Sequence, residues 1–378
     1  MNKDRELAKL IKQHQLWLKT NRSEGQRLDL SGAHLDGADF SGVDLSGAIF
    51  VGASLNGARF SNSLLVHADF TDASLSGANF RQANLILTDF SSADLQGADF
   101  QNTIEAALAT KDMRGRGPSF KDARLDGAKL QSAYCYLSDF SSAQLDGSSF
   151  NSALLERACL ARCDLTDIEF TQAKLTSADL TAADLTGASF NGADLTHANL
   201  EQAILSSADI TDACLLAANL ADARVDDIQY NGATRFKGAR VNSCYGSARF
   251  KRYAQDQDFI EEYREAHPLF FWLWWCTTAC GRSLSLVGFW CLIQVLSFAL
   301  AYFLLGETQF FIVNSETLSW NFFTALYYSV ETFSAFGQGD ITPKTPMAAV
   351  IVTVEVIVGY IMLGILISIL ATKVARRS

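Results

Sequence analysis

The chain has 378 residues, 49% hydrophobic and 19% charged, with a formal net charge of −10. That length allows two or three domains, and four prolines with a near-average hydrophobic fraction exclude a disordered chain. The acidic balance argues against non-specific binding to nucleic-acid phosphates, and eight cysteines in so long a chain are too sparse for a secreted disulfide scaffold.

Residues 1–25 are expected to hold a short helix. Met1 to Thr20 is charged and lacks the apolar core of a signal peptide, so nothing in it sends this end across a membrane. Leu7, Leu10, Ile11, Trp17 and Leu18 can cover the open end of the next element.

That element has a five-residue period. From Leu30 every fifth residue is Leu or Phe, through Leu35, Phe40 and Leu45 to Phe100, and the residue two before is usually small, as in Ala38-Asp39-Phe40. The period pauses over 101–119, resumes in frame at Phe120 and runs to Tyr230, for 38 positions in all. Neither 3.6 nor 2 divides five, so neither an amphipathic helix nor an ordinary strand explains it; a fixed short period means a solenoid. Phe150, Phe170 and Phe190 are 20 apart. Four quintets per coil would therefore stack Phe on Phe and Leu on Leu, with only small residues fitting at the second inward position. At the ~4.8 Å strand spacing the array makes about nine coils, a rod ~45 Å long. Arg114-Gly115-Arg116-Gly117-Pro118 in the pause reads as a basic surface loop, either a tolerated insertion or a contact with a partner. Cys135 and Cys163 occupy inward positions, and Cys159 and Cys163 form a CxxxC without a His pair, which favours a structural role over a metal site.

These residues resemble the pentapeptide-repeat family, whose pattern is similar to A-(D/N)-(L/F)-x-x. The resemblance covers Leu28 to Val241. It implies a right-handed quadrilateral β-helix, assigned to residues 26–248 with the non-repeat insertion 101–119.

The composition then changes. Before Lys251 the chain carries 23 Lys+Arg against 31 Asp+Glu. From Ser283 to Gly306 no residue is charged, and from Pro346 to Thr372 only Glu355 is. A bilayer core needs about 20 apolar residues in a helix, so two spans are expected, at 283–305 and 346–372 in a domain of 283–378. Residues 249–282 read as amphipathic linker helices along the membrane surface, with Phe270, Phe271, Trp272, Trp274 and Trp275 at the interface. Arg282 precedes the first span, and Lys373, Arg376 and Arg377 follow the second. The positive-inside rule then puts both termini in the cytoplasm of a multi-pass protein of the cell (inner) membrane.

Between the spans lie Ser329-Val330-Glu331-Thr332, then Gly337-Gln338-Gly339-Asp340, then Pro343. This stretch is similar to the pore loop of two-transmembrane bacterial potassium channels, a resemblance that covers Ser283 to Arg377. It implies an α-helical two-transmembrane tetrameric pore domain, with a pore helix at 319–332 and a selectivity filter at Ala335, Phe336, Gly337, Gln338 and Gly339. Glu331 and Asp340 look like the family's carboxyl pair behind the filter, and two acids that close would share a proton. Thr332, Tyr327 and Tyr328 stand where the family supports its filter. Gly359, with Gly364 after it, resembles the gating hinge, and Tyr360, Leu363 and Ile367 would face the cavity. The physics fits the residue types. A ring of backbone carbonyls replaces an ion's hydration shell, and glycine lets successive carbonyls turn inward. One chain gives one strand of filter, so a homotetramer in a lipid bilayer is implied.

Two departures matter. The family filter reads T-V-G-Y-G. Ala335 lacks the hydroxyl that would serve the innermost site, and Gln338 replaces the Tyr. Potassium is the first candidate ion, and a less selective monovalent pathway that also passes sodium is the alternative. Glu355 is either a pore-side or filter-supporting acid that concentrates cations, or a protonated or hydrogen-bonded acid packed on the pore helix. The repeat domain would regulate, assemble the tetramer or bind a cytoplasmic protein partner. A membrane-anchored scaffold with a dead pore competes, as does a DNA-mimicking topoisomerase inhibitor, although such rods lack membrane spans. No nucleophile–base pair, phosphate loop or metal cluster suggests an enzyme, and no cofactor or nucleic-acid partner is expected.

Overall fold

The computed structural model describes residues 2–104, 117–280, 283–313, 319–334 and 339–375. Two compact units divide at Glu261 and Glu262. The first is a solenoid with a helix at each end. Parallel β-bridges link residues twenty apart at every fifth position, from Asp29↔Ile49 and His34↔Ser54 onward, so each coil carries four rungs. Phe40, Leu45, Phe50 and Leu55 are fully buried at the inward position, and Ala48, Ala53 and Ala58 at the second. Two side chains per quintet point inward, and the space left beside a Leu or Phe admits only a small one.

The Phe spacing becomes geometry. Rings twenty residues apart stack nearly parallel, at 5.0 Å for Phe40–Phe60, 4.6 Å for Phe50–Phe70 and 4.9 Å for Phe60–Phe80. Rings ten apart meet edge to face across the core, as Phe60–Phe70 do at 5.4 Å. The residue between the inward pair faces out and builds the corner. The Asp69 carboxylate accepts from the Thr71 backbone N–H at 3.0 Å and its hydroxyl at 2.7 Å, and Asp184 and Asp194 do the same for Thr186 and Thr196. That closed turn explains Asp or Asn before the Leu or Phe.

Carboxyl contacts within these turns and between coils set an acid limit. The Ser31 hydroxyl and N–H hold the Asp29 carboxyl below the usual range. Ser54 and Asn56 do so for Asp36, and Ser41 with Arg59 for Asp39. A carboxyl whose folded pKa is depressed stabilises above its unfolded value and loses that contribution as pH falls through the folded one. The urea midpoint of the rod should therefore hold from neutral pH to about 4 and drop below it. Changing Asp29, Asp36 and Asp39 together to Asn should flatten the drop, and an unchanged acid profile in that triple variant would refute the assignment.

The interruption at 101–119 is smaller than its sequence gap. Thr103 and Ile104 still belong to the preceding coil, where Asn84 bridges Ile104. The next rungs join Asp89 to Ser119 and Asp94 to Arg124, residues thirty apart where the other rungs join residues twenty apart. Ten more residues of sequence thus separate the partners of these rungs, and Phe120 stacks on Phe90 at 5.4 Å. Counting in twenties would have placed it on Phe100, which it meets edge to face. Of the basic stretch Arg114 to Pro118, Arg114, Gly115 and Arg116 lie outside the described residues.

The repeat does not end at Tyr230. Cys214 bridges Arg235, Asn219 bridges Arg240 and Arg224 bridges Tyr245, each pair twenty-one apart. One extra residue near Asn231 shifts the inward positions to Phe236 and Val241, both buried.

Both coil ends are capped. Helix α1 (Asn2–Lys19) packs Leu7 and Ile11 on the first coil, whereas Leu10, expected to share that role, is exposed. The cap is also pinned by His14, fully buried, whose Nδ1 accepts the Leu28 N–H at 3.1 Å and whose ring stacks on Trp17 at 5.5 Å. Burial lowers the pKa of His14, which keeps that nitrogen an acceptor.

At the other end stands α2 (Ala248–Ala266), and it corrects the linker expectation. Phe250 and Ala254 are buried on the last coil. Tyr253 packs on Tyr230 at 4.6 Å and donates its hydroxyl to the Asn231 carbonyl at 2.9 Å. Asp258 accepts the Gly238 N–H at 2.7 Å. The expected amphipathic pair is absent. The apolar face of α2 is spent on the last coil, and its other residues are largely charged, whereas α3 (Pro268–Thr278) has no charged residue at all.

In the second unit, α4 (Leu284–Leu305) starts at Ser283, whose Oγ accepts the Leu286 N–H at 3.2 Å. Strand β1 (Phe310–Ile312) comes next, then α5 (Phe322–Ser334), β2 (Ile341–Pro343) and α6 (Pro346–Ala375). The strands pair antiparallel, Phe310 with Pro343 and Ile312 with Ile341. Helix α5 begins later than the expected 319, because Asn321 caps it by accepting the Thr324 N–H at 3.0 Å, and it runs two residues past 332.

Candidate functional site

Segments Leu284–Leu305 and Pro346–Ala371 are long and apolar enough to cross a membrane, and only 17% of each most apolar window is buried within the chain. The core helix of a soluble protein would be covered. Here Phe289, Leu292, Leu296 and Leu300 on α4, and Val350, Val354, Ile357 and Ile361 on α6, stand exposed. A membrane location follows from these faces.

The candidate site lies between the two spans. Of the five expected filter residues, Ala335, Phe336, Gly337 and Gln338 lie outside the described residues, and Gly339 adopts φ +78°. That left-handed backbone suits glycine and turns the chain sharply before Asp340. On the near side, α5 ends at Ser334, so its unpaired carbonyls and the negative end of its dipole fall next to the segment. On the far side, β2 is held from both ends. The Val313 N–H donates to the Asp340 carbonyl at 2.9 Å, and the Lys344 N–H to the Gln309 carbonyl at 2.8 Å. No period-2 run announced these three-residue strands, so they were not expected.

Tyr327 joins the two sides. Its hydroxyl lies 2.9 Å from Glu331 Oε1 and 3.3 Å from Asp340 Oδ2. The phenolic oxygen thus lies between two carboxyl groups, one before the segment and one after it, with the shorter contact to Glu331. Tyr328 does not join this cluster. It is buried against Tyr302 at 5.1 Å and Phe310 at 5.6 Å, because adjacent helical residues point about 100° apart. Thr332 turns its hydroxyl back to the Tyr328 carbonyl at 2.8 Å.

Helix α6 presents two faces. Met362 and Ile369 pack toward α4 with Val287. Tyr360, Leu363 and Ile367 share another face and are half exposed. Gly359 and Gly364, named together as a hinge, differ. A Cβ on Gly359 would lie 2.5 Å from the Phe333 carbonyl oxygen, whereas one on Gly364 meets nothing within 4 Å. Gly359 is where α6 admits the backbone at the end of α5.

Sequence reading missed two further residues. Tyr302 of α4 and Ser329 of α5 both hydrogen-bond Glu355, which is fully buried and so away from any open face. The signal was present as polar-tipped residues inside apolar stretches, but periodicity does not pair residues so far apart.

Among the described residues all eight cysteines are free, and Cys135 and Cys163 lie in the solenoid core, where burial pushes their thiols up to about 12 and about 11. Such thiols are inert at neutral pH.

Comparison with known proteins divides the chain as the structure does. The family described as pentapeptide repeats matches in 8 copies over residues 26–62, 63–102, 119–157, 155–192 and 188–225. The family described as ion channel matches residues 290–376. Among solved structures, the chain is similar to HetL, a pentapeptide repeat protein involved in heterocyst differentiation regulation from the cyanobacterium Nostoc. The two are 26% identical over 61% of this chain and 94% of that one, with a TM-score of 0.29. A pentapeptide repeat protein from the Arabidopsis thaliana thylakoid lumen is 32% identical over 28% of this chain and 63% of that one, at 0.20. QnrB1, a plasmid-mediated fluoroquinolone resistance protein, is 15% identical over 61% and 96%, at 0.28. No curated protein matches the chain.

Proposed function

Because the chain is a pentapeptide-repeat protein fused to a two-transmembrane potassium-channel-like pore domain, we propose that four copies surround one cation pathway. Each supplies one strand of filter from residues 335–339 and carries one right-handed quadrilateral β-helix in the cytoplasm. The observation that supports this best is the Tyr327 bridge, which ties Glu331 before the segment to Asp340 after it. A loop at membrane depth must line a wet pathway or be buried in protein, and a bridge across its two ends holds its carbonyls in place for an ion. The end of α5 adds negative potential beside it. Glu331, Asp340, Tyr327 and Thr332 act as filter support in this reading, and Tyr360, Leu363 and Ile367 line the inner cavity.

Potassium is the ion proposed. The substitutions Ala335 and Gln338 favour, as second reading, a pathway that also passes sodium. Both termini are proposed to be cytoplasmic at the inner membrane, with the repeat domains assembling the tetramer, regulating it or binding a protein partner.

Purified protein should run as a tetramer and carry current in a bilayer with potassium on one side and sodium on the other. A reversal near the potassium equilibrium value supports a selective filter, and one near zero supports the second reading. Gly337→Asp should abolish current and leave assembly intact. A monomer without current would overturn the pore.

A further inference from the structure

Glu355 is the only charge between Pro346 and Thr372, and it is wholly shielded from solvent. Its partners come from two other helices of its unit, α4 and α5. The Tyr302 hydroxyl of α4 donates to Oε2. The Ser329 hydroxyl of α5 contacts Oε1 and also lies 2.9 Å from the Val295 carbonyl oxygen of α4. Tyr302 and Ser329 are themselves wholly buried, and among the described residues no cation forms an ion pair with Glu355.

Counting hydrogens points to a proton on the carboxyl, because one Ser329 hydroxyl proton faces two acceptors. Ser329 has one hydroxyl proton, and the Val295 carbonyl can only accept. If Ser329 donates to Val295, its contact with Glu355 needs a proton from the carboxyl. An ionised carboxylate buried without a cation is costly, whereas a neutral acid paired on both oxygens is satisfied. We propose that Glu355 is held as a neutral carboxylic acid, donating to Ser329 and accepting from Tyr302, and that this clasp positions α5 against both spans. Ser329 and Glu331 lie two residues apart, about 200° around the helix. The helix is thus gripped from opposite sides, by the Tyr327 bridge on one and by the clasp on the other. Glu355 is a positioning residue and touches no ion. The consequences for ion flow and for dissociation of the assembly rest on the pore reading; the protonation state does not.

The full-length protein tests this by infrared spectroscopy, heat dissociation of the assembly and ion flux. Glutamine copies the neutral acid, because its amide donates to Ser329 and accepts from Tyr302. Glu355→Gln should remove one protonated-carboxyl band at neutral pH and leave heat stability and flux as in wild type. Glu355→Leu, similar in size but without hydrogen bonds, should lower the dissociation temperature and cut flux about tenfold, the scale of a lost buried hydrogen-bonded pair. Tyr302→Phe should act in the same direction, and adding it to Glu355→Leu should cost nothing further. Glu355→Gln as damaging as Glu355→Leu would show that the charge matters and overturn the clasp. So would the absence of a Glu355-dependent acid band, or a leucine variant equal to wild type. Should Glu355→Leu fail to assemble, Tyr302→Phe carries the test. Wild type without current would count against the pore, while the infrared and heat readings still judge the clasp.

Discussion

Gly359→Ala is expected to cut ion flux by about ten- to a hundredfold, the scale of 1–3 kcal/mol of overpacking, while Gly364→Ala leaves it near wild type. The new methyl would stand 2.5 Å from the Phe333 carbonyl oxygen and 3.3 Å from its Cα. Those are backbone atoms at the end of α5, so no rotamer change can make room. The helix end must shift, and the segment that begins at Ala335 shifts with it. Gly364 has open space at the same test. A pure hinge role predicts something else: alanine would stiffen α6 and alter the balance of open and closed states, with ion selectivity intact. Current and reversal potential measured on both variants separate the two. A Gly359→Ala channel that conducts as wild type would remove the packing role, and equal losses at both glycines would favour a hinge.

The second large effect is expected in the rod. Phe80 is fully buried, stacked on Phe60 at 4.9 Å and on Phe100 at 4.9 Å, and edge-on to Phe70 and Phe90. Phe80→Ala should cost about 3–5 kcal/mol. Each coil contacts only its neighbours, so the damage should appear as local opening of the coils on either side. Hydrogen exchange of the full-length protein in detergent reads this directly. Amides of 60–100 should lose protection, while those of 170–220 keep theirs. Uniform loss along the rod would show that its coils open as one unit.

The rod's interior was legible because its constraint is local. A residue such as Phe60 or Ala58 faces inward for reasons contained in five residues, and the parallel spacing follows from repetition. Its ends were legible only in part: Leu7 and Ile11 cover the first coil as expected, but the cap on the last coil was not foreseen. That α2 caps the last coil depends on Tyr253 meeting Tyr230 and on Asp258 meeting Gly238, contacts made only after the coils have formed. His14 shows the same limit: a lone histidine on a charged helix gives no sign that it will be the acceptor for Leu28. In the second unit the two apolar helices were visible from charge-free runs, and the helix between them from the resemblance of its residues. The partition of polar side chains was not, since Tyr327 and Tyr328 are neighbours in sequence and point to different clusters. Glu355 likewise gained its meaning only from Tyr302, fifty-three residues earlier.

The two irregular coils carry a consequence for how such a chain stores its shape. After ten extra residues of sequence Phe120 lands on Phe90, and after one extra residue near Asn231 Arg235 lands on Cys214. In the first case the offset of thirty holds for the rungs of Asp89, Asp94 and Asp99, and Ser119↔Asp139 is again twenty apart; in the second the offset of twenty-one holds to Arg224↔Tyr245. The rod does not count from its start; each layer takes its phase from the layer beneath, and past the interruption at 101–119 the twenty-residue spacing returns within one turn. Position along the chain is therefore a poor address. A side chain's wall is known only from the rung it pairs with, and a corner can take up a segment of foreign length without passing the disturbance on.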